Sequence, residues 1–222
     1  MALSHKLIFL RGWGTSSGVW KHQMEYFSTK CRIETPSLYP DLSTINYKPS
    51  TILIGWSYGG MLSIQIASKA PDKLKALVLV GCSAKFSGGI HPTVIKNLIR
   101  NLNRDFAGTM RNCYGAFFSN EESDMRSRFI KEQLSPDKKI TVDILNELAR
   151  LDLRKDLKYI DIPTLIIHGD KDEICPIGAG RFLHGNIKDS RLEVLRGAGH
   201  MPFYTRPEEF NKILEDFISG VK

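Results

Sequence analysis

A chain of 222 residues, 42% of them hydrophobic, can bury one sizeable core and fits a single domain carrying a small insertion; it does not read as disordered or fibrous. No apolar run is long enough to span a bilayer and residues 1–10 lack a secretory h-region and cleavage site, so a soluble, cytoplasmic, monomeric protein is expected. The formal net charge of +7 favours encounter with anionic surfaces, yet the basic residues are mixed with acidic ones and no nucleic-acid module is present, so neither nucleic acid nor membrane is an expected partner.

Lys6-Leu7-Ile8-Phe9-Leu10 reads as a strand, followed by Arg11-Gly12-Trp13-Gly14 and a short helix over 18–28 with Trp20, Met24 and Phe27 on one side. Ser17 stands where the third glycine of a dinucleotide loop would be, which excludes that use. Two readings of the glycine turn stay open: it packs a core tryptophan, or it presents the Trp13 backbone N–H as one donor of an oxyanion hole. Residues 31–36 form a weaker strand, and 36–50 a turn-rich connection with room for a short helix only.

Thr51-Ile52-Leu53-Ile54 is a buried strand, and 61–70 a helix that stops at Pro71. Between them, Gly55-Trp56-Ser57-Tyr58-Gly59-Gly60 has the spacing of a nucleophile elbow, a sharp turn that exposes a serine hydroxyl beside the N–H groups of a helix start. A strand-to-helix turn that merely contains a serine is the competing reading. Further strands are expected at 75–81, 164–169 and 191–195, mostly separated by helical segments, the pattern of a parallel sheet covered on both faces.

Between 83 and 160 that alternation stops. Ser87-Gly88-Gly89 and Ser135-Pro136-Asp137 punctuate about three helices, which implies a helical cap over 84–160 inserted in a core formed by 1–83 and 161–222. Its first helix, drawn over 93–110, places Val94, Ile95, Leu98, Ile99, Leu102, Phe106 and Met110 on one side and Lys96, Arg100, Arg104 and Arg111 on the other. Such a stripe is a solvated face or a landing site for an acidic partner; like charges four apart oppose each other, and Asp105 is the only acid in the stretch.

A serine nucleophile needs a base, and the base a group that fixes its tautomer. Of the six histidines, His200 follows the last strand in the loop Gly197-Ala198-Gly199-His200-Met201-Pro202, whereas His168 lies within a strand and reads as packed. In Gly169-Asp170-Lys171-Asp172-Glu173, Asp170 is placed to cap the turn, Glu173 to face solvent and Asp172 to meet His200. The order Ser57, Asp172, His200 is that of an α/β-hydrolase. The acids lack the spacing of a calcium loop, and Cys31, Cys82, Cys113 and Cys175 are too scattered for zinc or a disulfide framework, so no metal or cofactor is expected.

Gly12-Trp13-Gly14, the elbow, Leu151-Asp152-Leu153-Arg154 leading to Ile162-Pro163, Gly169-x-x-Asp172 with Pro176, and Gly199-His200-x-Pro202-Phe203 together resemble the α/β-hydrolase superfamily over nearly the whole chain. More narrowly they resemble the pimeloyl-[acyl-carrier protein] methyl ester esterases of biotin synthesis. The resemblance implies a trimmed, mostly parallel sheet of about six strands with an inserted helical cap, and a carboxylesterase that releases methanol from an acyl chain held on an acidic carrier protein. It also implies docking of that carrier on basic cap residues, which matches Lys96, Arg100, Arg104 and Arg111. Ser57, His200 and Asp172 would be the catalytic set, with the backbone N–H groups of Trp13 and Tyr58 as the oxyanion hole. Trp13, Trp56, Phe117, Phe118 and Phe203 would line the pocket or serve the core. The chain departs from the family at Arg11, where a histidine is usual, in lacking or nearly lacking N-terminal antiparallel strands, and in the shortened segment 36–50. A general small-ester or C–C bond hydrolase, and a hydrolase-like protein that only binds a ligand, are the alternatives.

Overall fold

The computed structural model describes residues 5–37, 47–86, 92–132 and 136–221. Six strands, β1 (Lys6–Leu10), β2 (Arg32–Glu34), β3 (Thr51–Trp56), β4 (Ala76–Val80), β5 (Thr164–Gly169) and β6 (Ser190–Leu195), form one sheet in the order β2-β1-β3-β4-β5-β6. Every neighbouring pair is parallel. The apolar runs of β1, β3, β4 and β5 are buried throughout, as strands covered on both faces must be, while β2 and β6 are partly exposed edges. At the β2 edge the nearly buried Lys6 ammonium meets Glu34 at 2.7 Å, which offsets the cost of taking that charge out of water.

Along the chain, α1 (Lys21–Phe27) follows a 3-10 turn at Ser17–Trp20, and α2 (Tyr58–Lys69) follows β3 directly. Between β4 and β5 lie α3 (Pro92–Arg104), α4 (Phe106–Gly115), α5 (Ser123–Glu132) and α6 (Lys138–Leu148), with no strand among the described residues there. The chain continues with α7 (Ile177–Asn186), the single turn α8 (Pro202–Thr205) and α9 (Pro207–Gly220). Trp20, fully buried, sits 4.1 Å from Phe203 and 5.0 Å from Phe9 between ring centroids. The Gln23 amide donates to the Phe203 carbonyl and to Asn211 Oδ1, both at 2.9 Å, tying α1 to α8 and α9.

Three local expectations change. The helix drawn over 93–110 is two helices, because the Asp105 carboxylate accepts from the Gly108 N–H at 2.9 Å and caps a new start; periodicity runs across that break and cannot report it. Val94, placed on the apolar side by projection, is 56% exposed. Helix α2 begins at Tyr58 rather than at 61, and Gly59 and Gly60 lie within its first turn, where they pack closely on neighbouring segments of the chain. Residues 1–4 and 38–46, most of the shortened 36–50 connection, lie outside the described residues, as do Ser87-Gly88-Gly89, His91 and Ser135.

Candidate active site

Register sets the site. The carboxyl ends of β3, β5 and β6 lie at one edge of the sheet, and each feeds the segment that holds one polar residue. Ser57, between β3 and α2, adopts φ 55° and ψ −117°, a combination that L side chains rarely take. The neighbouring glycines make the turn possible. A Cβ on Gly59 would run into the carbonyls of Leu10 and Arg11, and one on Gly55 into the Ser63 hydroxyl and the Gly59 carbonyl. The Ser57 N–H donates to the Val80 carbonyl at 3.0 Å, which fixes the elbow to β4.

His200 Nε2 lies 3.0 Å from Ser57 Oγ and His200 Nδ1 2.7 Å from Asp172 Oδ2. A carboxylate only accepts, so Nδ1 carries the proton and Nε2 is left bare to receive the serine O–H. Asp172 is held in turn: its Oδ1 accepts from the N–H groups of Ile174 at 2.9 Å and Cys175 at 2.8 Å. Both His200 and Asp172 are buried, while Ser57 keeps partial access. Asp170 takes the Gly197 N–H at 2.6 Å and so joins two loops rather than capping its own turn, while Glu173 is exposed, as expected.

His168 is more than a packed residue. Its Nε2 donates to the Cys175 carbonyl at 2.6 Å and lies 3.5 Å from Asp172 Oδ2, so two imidazoles flank one carboxylate oxygen. Burial pushes its pKa down, and its Nδ1 is buried with no partner, as a neutral ring protonated at Nε2 leaves it. The signal was present as histidine and aspartate four residues apart across the exit of a strand.

Trp13 follows β1, and Tyr58 is the first residue of α2, where backbone N–H groups have no partner within the helix. The Trp13 indole N–H donates to the Thr141 carbonyl at 2.7 Å, the Tyr58 hydroxyl to Glu147 at 2.9 Å and the Tyr114 hydroxyl to the Gly14 carbonyl at 2.6 Å. These three bonds stitch α4 and α6 to the core around the site. Arg11 is half-buried and reaches the Gly12 carbonyl at 3.4 Å.

A cavity of about 910 Å³ opens at Ser57. Trp13, Trp56, Phe117, Leu145, Leu148 and Ile174 give it apolar walls, and Asn101, Arg104, Asp105, Arg111 and Asn112 add a polar side. Phe118 and Phe203 do not line it. Phe118 packs on Phe129 with centroids 5.4 Å apart, and Phe203, fully buried, stands behind Trp56 at 5.2 Å. Of the four basic residues, Arg104 and Arg111 border the cavity, whereas Lys96 and Arg100 are exposed farther along α3 and Arg111 belongs to α4. Among the described residues none of the four is paired with a carboxylate, and no cluster of three or more His, Cys, Asp or Glu could hold a metal ion. No helix among them is long and apolar enough to cross a membrane.

The family model for the alpha/beta hydrolase fold matches residues 42–207. The chain belongs to that family. This hydrolase is similar to the pimeloyl-[acyl-carrier protein] methyl ester esterase of Wigglesworthia glossinidia brevipalpis, with 29% identity over 97% of this chain and 94% of the relative. It is similar also to the protein of the same name from Neisseria meningitidis, with 32% identity over 76% of this chain and 70% of the relative. Among solved structures it resembles an esterase from Exiguobacterium antarcticum, with TM-score 0.84 and 21% identity over 99% of this chain and 94% of that one. An enol-lactonase from Burkholderia xenovorans gives TM-score 0.84 and 18% identity over 97% and 92%.

Proposed function

We propose that this chain is a serine carboxylesterase that hydrolyses the methyl ester of a pimeloyl group carried on an acidic acyl-carrier protein, and so serves biotin biosynthesis in the cytoplasm. The observation that carries the reading is the unbroken chain Ser57–His200–Asp172, with contacts of 3.0 and 2.7 Å, beside a cavity that Ser57 itself lines. The names of the two relatives supply the substrate. The division into a core of 1–83 and 161–222 and a cap of 84–160 belongs to the same proposal.

In this mechanism Ser57 Oγ adds to the ester carbonyl while His200 Nε2 takes its proton, and Asp172 stabilises the imidazolium. The backbone N–H groups of Trp13 and Tyr58 receive the oxyanion. The tetrahedral adduct collapses, and the leaving methoxide takes the proton from His200 and departs as methanol. Water then gives a proton to His200 Nε2 as its oxygen adds to the acyl-enzyme; the second adduct collapses as His200 returns that proton to Ser57 Oγ, and the free acid leaves and ionises to the carboxylate in water. The apolar walls suit an unbranched acyl chain, and Arg104 and Arg111, neither of them in an ion pair among the described residues, suit an anionic carrier.

The test compares pimeloyl methyl ester on its carrier with a free methyl ester as salt rises. The carrier substrate should lose kcat/KM steeply, because exposed charges are screened within about 8 Å at physiological ionic strength, while the free ester should be nearly indifferent. Equal responses would remove the carrier from the proposal. Absence of hydrolysis of either ester, together with no reaction of Ser57 with a fluorophosphonate, would remove the esterase itself.

A further inference from the structure

Every group that positions His200 from below belongs to the core: Asp172 on its Nδ1 and the Trp56 indole, which donates to the His200 carbonyl at 2.8 Å. From above, the loop is held by residues that arrive from between α4 and α5. The His200 N–H donates to the Phe117 carbonyl at 2.7 Å, and the Ser119 hydroxyl donates to the Gly197 carbonyl at 2.9 Å. The Gly199 N–H donates to Glu122 Oε2 at 3.1 Å, and the same oxygen takes the Ser119 N–H at 2.8 Å. One carboxylate oxygen thus joins the segment 117–122 to the residue immediately before the histidine.

The cost of this arrangement argues that it is specific. Glu122 is 6% exposed, and its second oxygen, Oε1, is buried without a partner. A solvated glutamate would satisfy both oxygens in water, so a carboxylate retained in this state has to be offset by what Oε2 holds. Gly199 is required on the other side. A Cβ there would stand 2.7 Å from the Phe117 carbonyl oxygen and the Ser119 nitrogen and 2.9 Å from Glu122 Oε2, too close for any side chain. Phe117 completes the link, because it lines the cavity and its ring lies 5.5 Å from the His200 imidazole.

We infer that Glu122 is a positioning residue for His200: the inserted helical segment holds the catalytic base in register with Ser57 through the Glu122 carboxylate, and is part of the catalytic apparatus as well as a cover. The inference rests on the Ser57–His200–Asp172 reading above. A base displaced by a fraction of an ångström from its proton loses rate without losing substrate binding, so the effect falls on kcat.

The test uses the full-length chain, p-nitrophenyl acetate as a small ester that needs no carrier, and the rate of Ser57 labelling by a fluorophosphonate. Glu122→Ala should lower kcat and the labelling rate together, by about tenfold or more, with KM changed less than about twofold and a native circular dichroism spectrum. Glu122→Gln keeps an acceptor for both N–H groups and should recover most of the rate. A folded Glu122→Ala that labels as fast as wild type, or a loss in Glu122→Ala that glutamine leaves unrepaired, overturns the inference. If Glu122→Ala does not fold, Ser119→Ala, which removes the bond to Gly197 and the hydroxyl's part in the capping box but leaves the Glu122 carboxylate on Gly199, should show a smaller loss of the same kind, in kcat and not KM; an unchanged kcat there also overturns it. Failure of the wild-type chain to label at all would instead strike the underlying hydrolase reading.

Discussion

His200 Nε2 meets Ser57 Oγ at 3.0 Å while Ser57 is held at φ 55°, so the hydroxyl reaches its base only through a backbone conformation that costs on the order of 1–3 kcal/mol. Ser57→Ala and Ser57→Gly should both abolish fluorophosphonate labelling and lower kcat by on the order of 10⁴-fold or more. They should differ in stability. Glycine takes that φ freely and alanine does not, so Ser57→Gly should melt above Ser57→Ala, by the equivalent of about 1 kcal/mol. Equal melting temperatures would mean that the elbow stores no strain.

His168 gives the fold an acid-side weakness. Its folded pKa is depressed by burial below the usual 6.5, so as pH falls through about 6.5 the unfolded chain binds a proton that the folded chain refuses. Its contribution is therefore complete above that pH and is lost as pH falls toward the folded value. Replacing it by glutamine, which cannot titrate, should shrink the drop in melting temperature between pH 7.5 and pH 5.5. The measurement is a pair of thermal melts for each protein; an undiminished drop in His168→Gln would assign the acid sensitivity elsewhere.

The basic residues can be separated by place. Arg104 and Arg111 border the cavity, but Lys96 and Arg100 lie beyond it on α3. Lys96→Glu with Arg100→Glu should lower the ratio of kcat/KM for carrier-bound ester to that for free methyl ester by about tenfold, since each removed attraction becomes a repulsion. A ratio unchanged by the double reversal would move the docking face off α3.

Two phenylalanines near the site should behave oppositely. Phe203 is fully buried between Trp20 and Trp56, so Phe203→Ala should cost about 3–5 kcal/mol of stability by leaving a cavity. Phe117 lines the cavity at Ser57, and Phe117→Leu should shift the preferred acyl chain length in a panel of methyl esters while costing less than about 1.5 kcal/mol in denaturant unfolding.

What could be read in the amino-acid order, and what could not, follows from the range of the forces involved. Ser57, Asp172 and His200 each stand in the segment just after a strand, and a parallel sheet brings such segments to one edge, so local pattern and topology locate all three. The direction of a side chain on a single turn such as α8 has no periodic signature, which is why Phe203 could not be told from a pocket residue. The break at Asp105 was hidden because apolar spacing continues across it. Glu122 is the clearest case: Ser119-Asn120-Glu121-Glu122 carries the spacing of a capping box and the structure forms one, but the bond from Glu122 to Gly199 spans 77 positions and no local rule contains it.

The distribution of the three polar residues along the chain also sets when reactivity can arise. Ser57 lies early in the chain, where its N–H is fixed to β4 and the elbow glycines pack on the end of β1, whereas His200 follows β6, the last strand among the described residues. On the proposed mechanism, until that edge strand docks against β5 the serine has no base to deprotonate it. On that reading turnover is a late reporter of folding: a chain that ends before β6 lacks His200 and should be inert, and acyl transfer should appear only with the closing of the sheet.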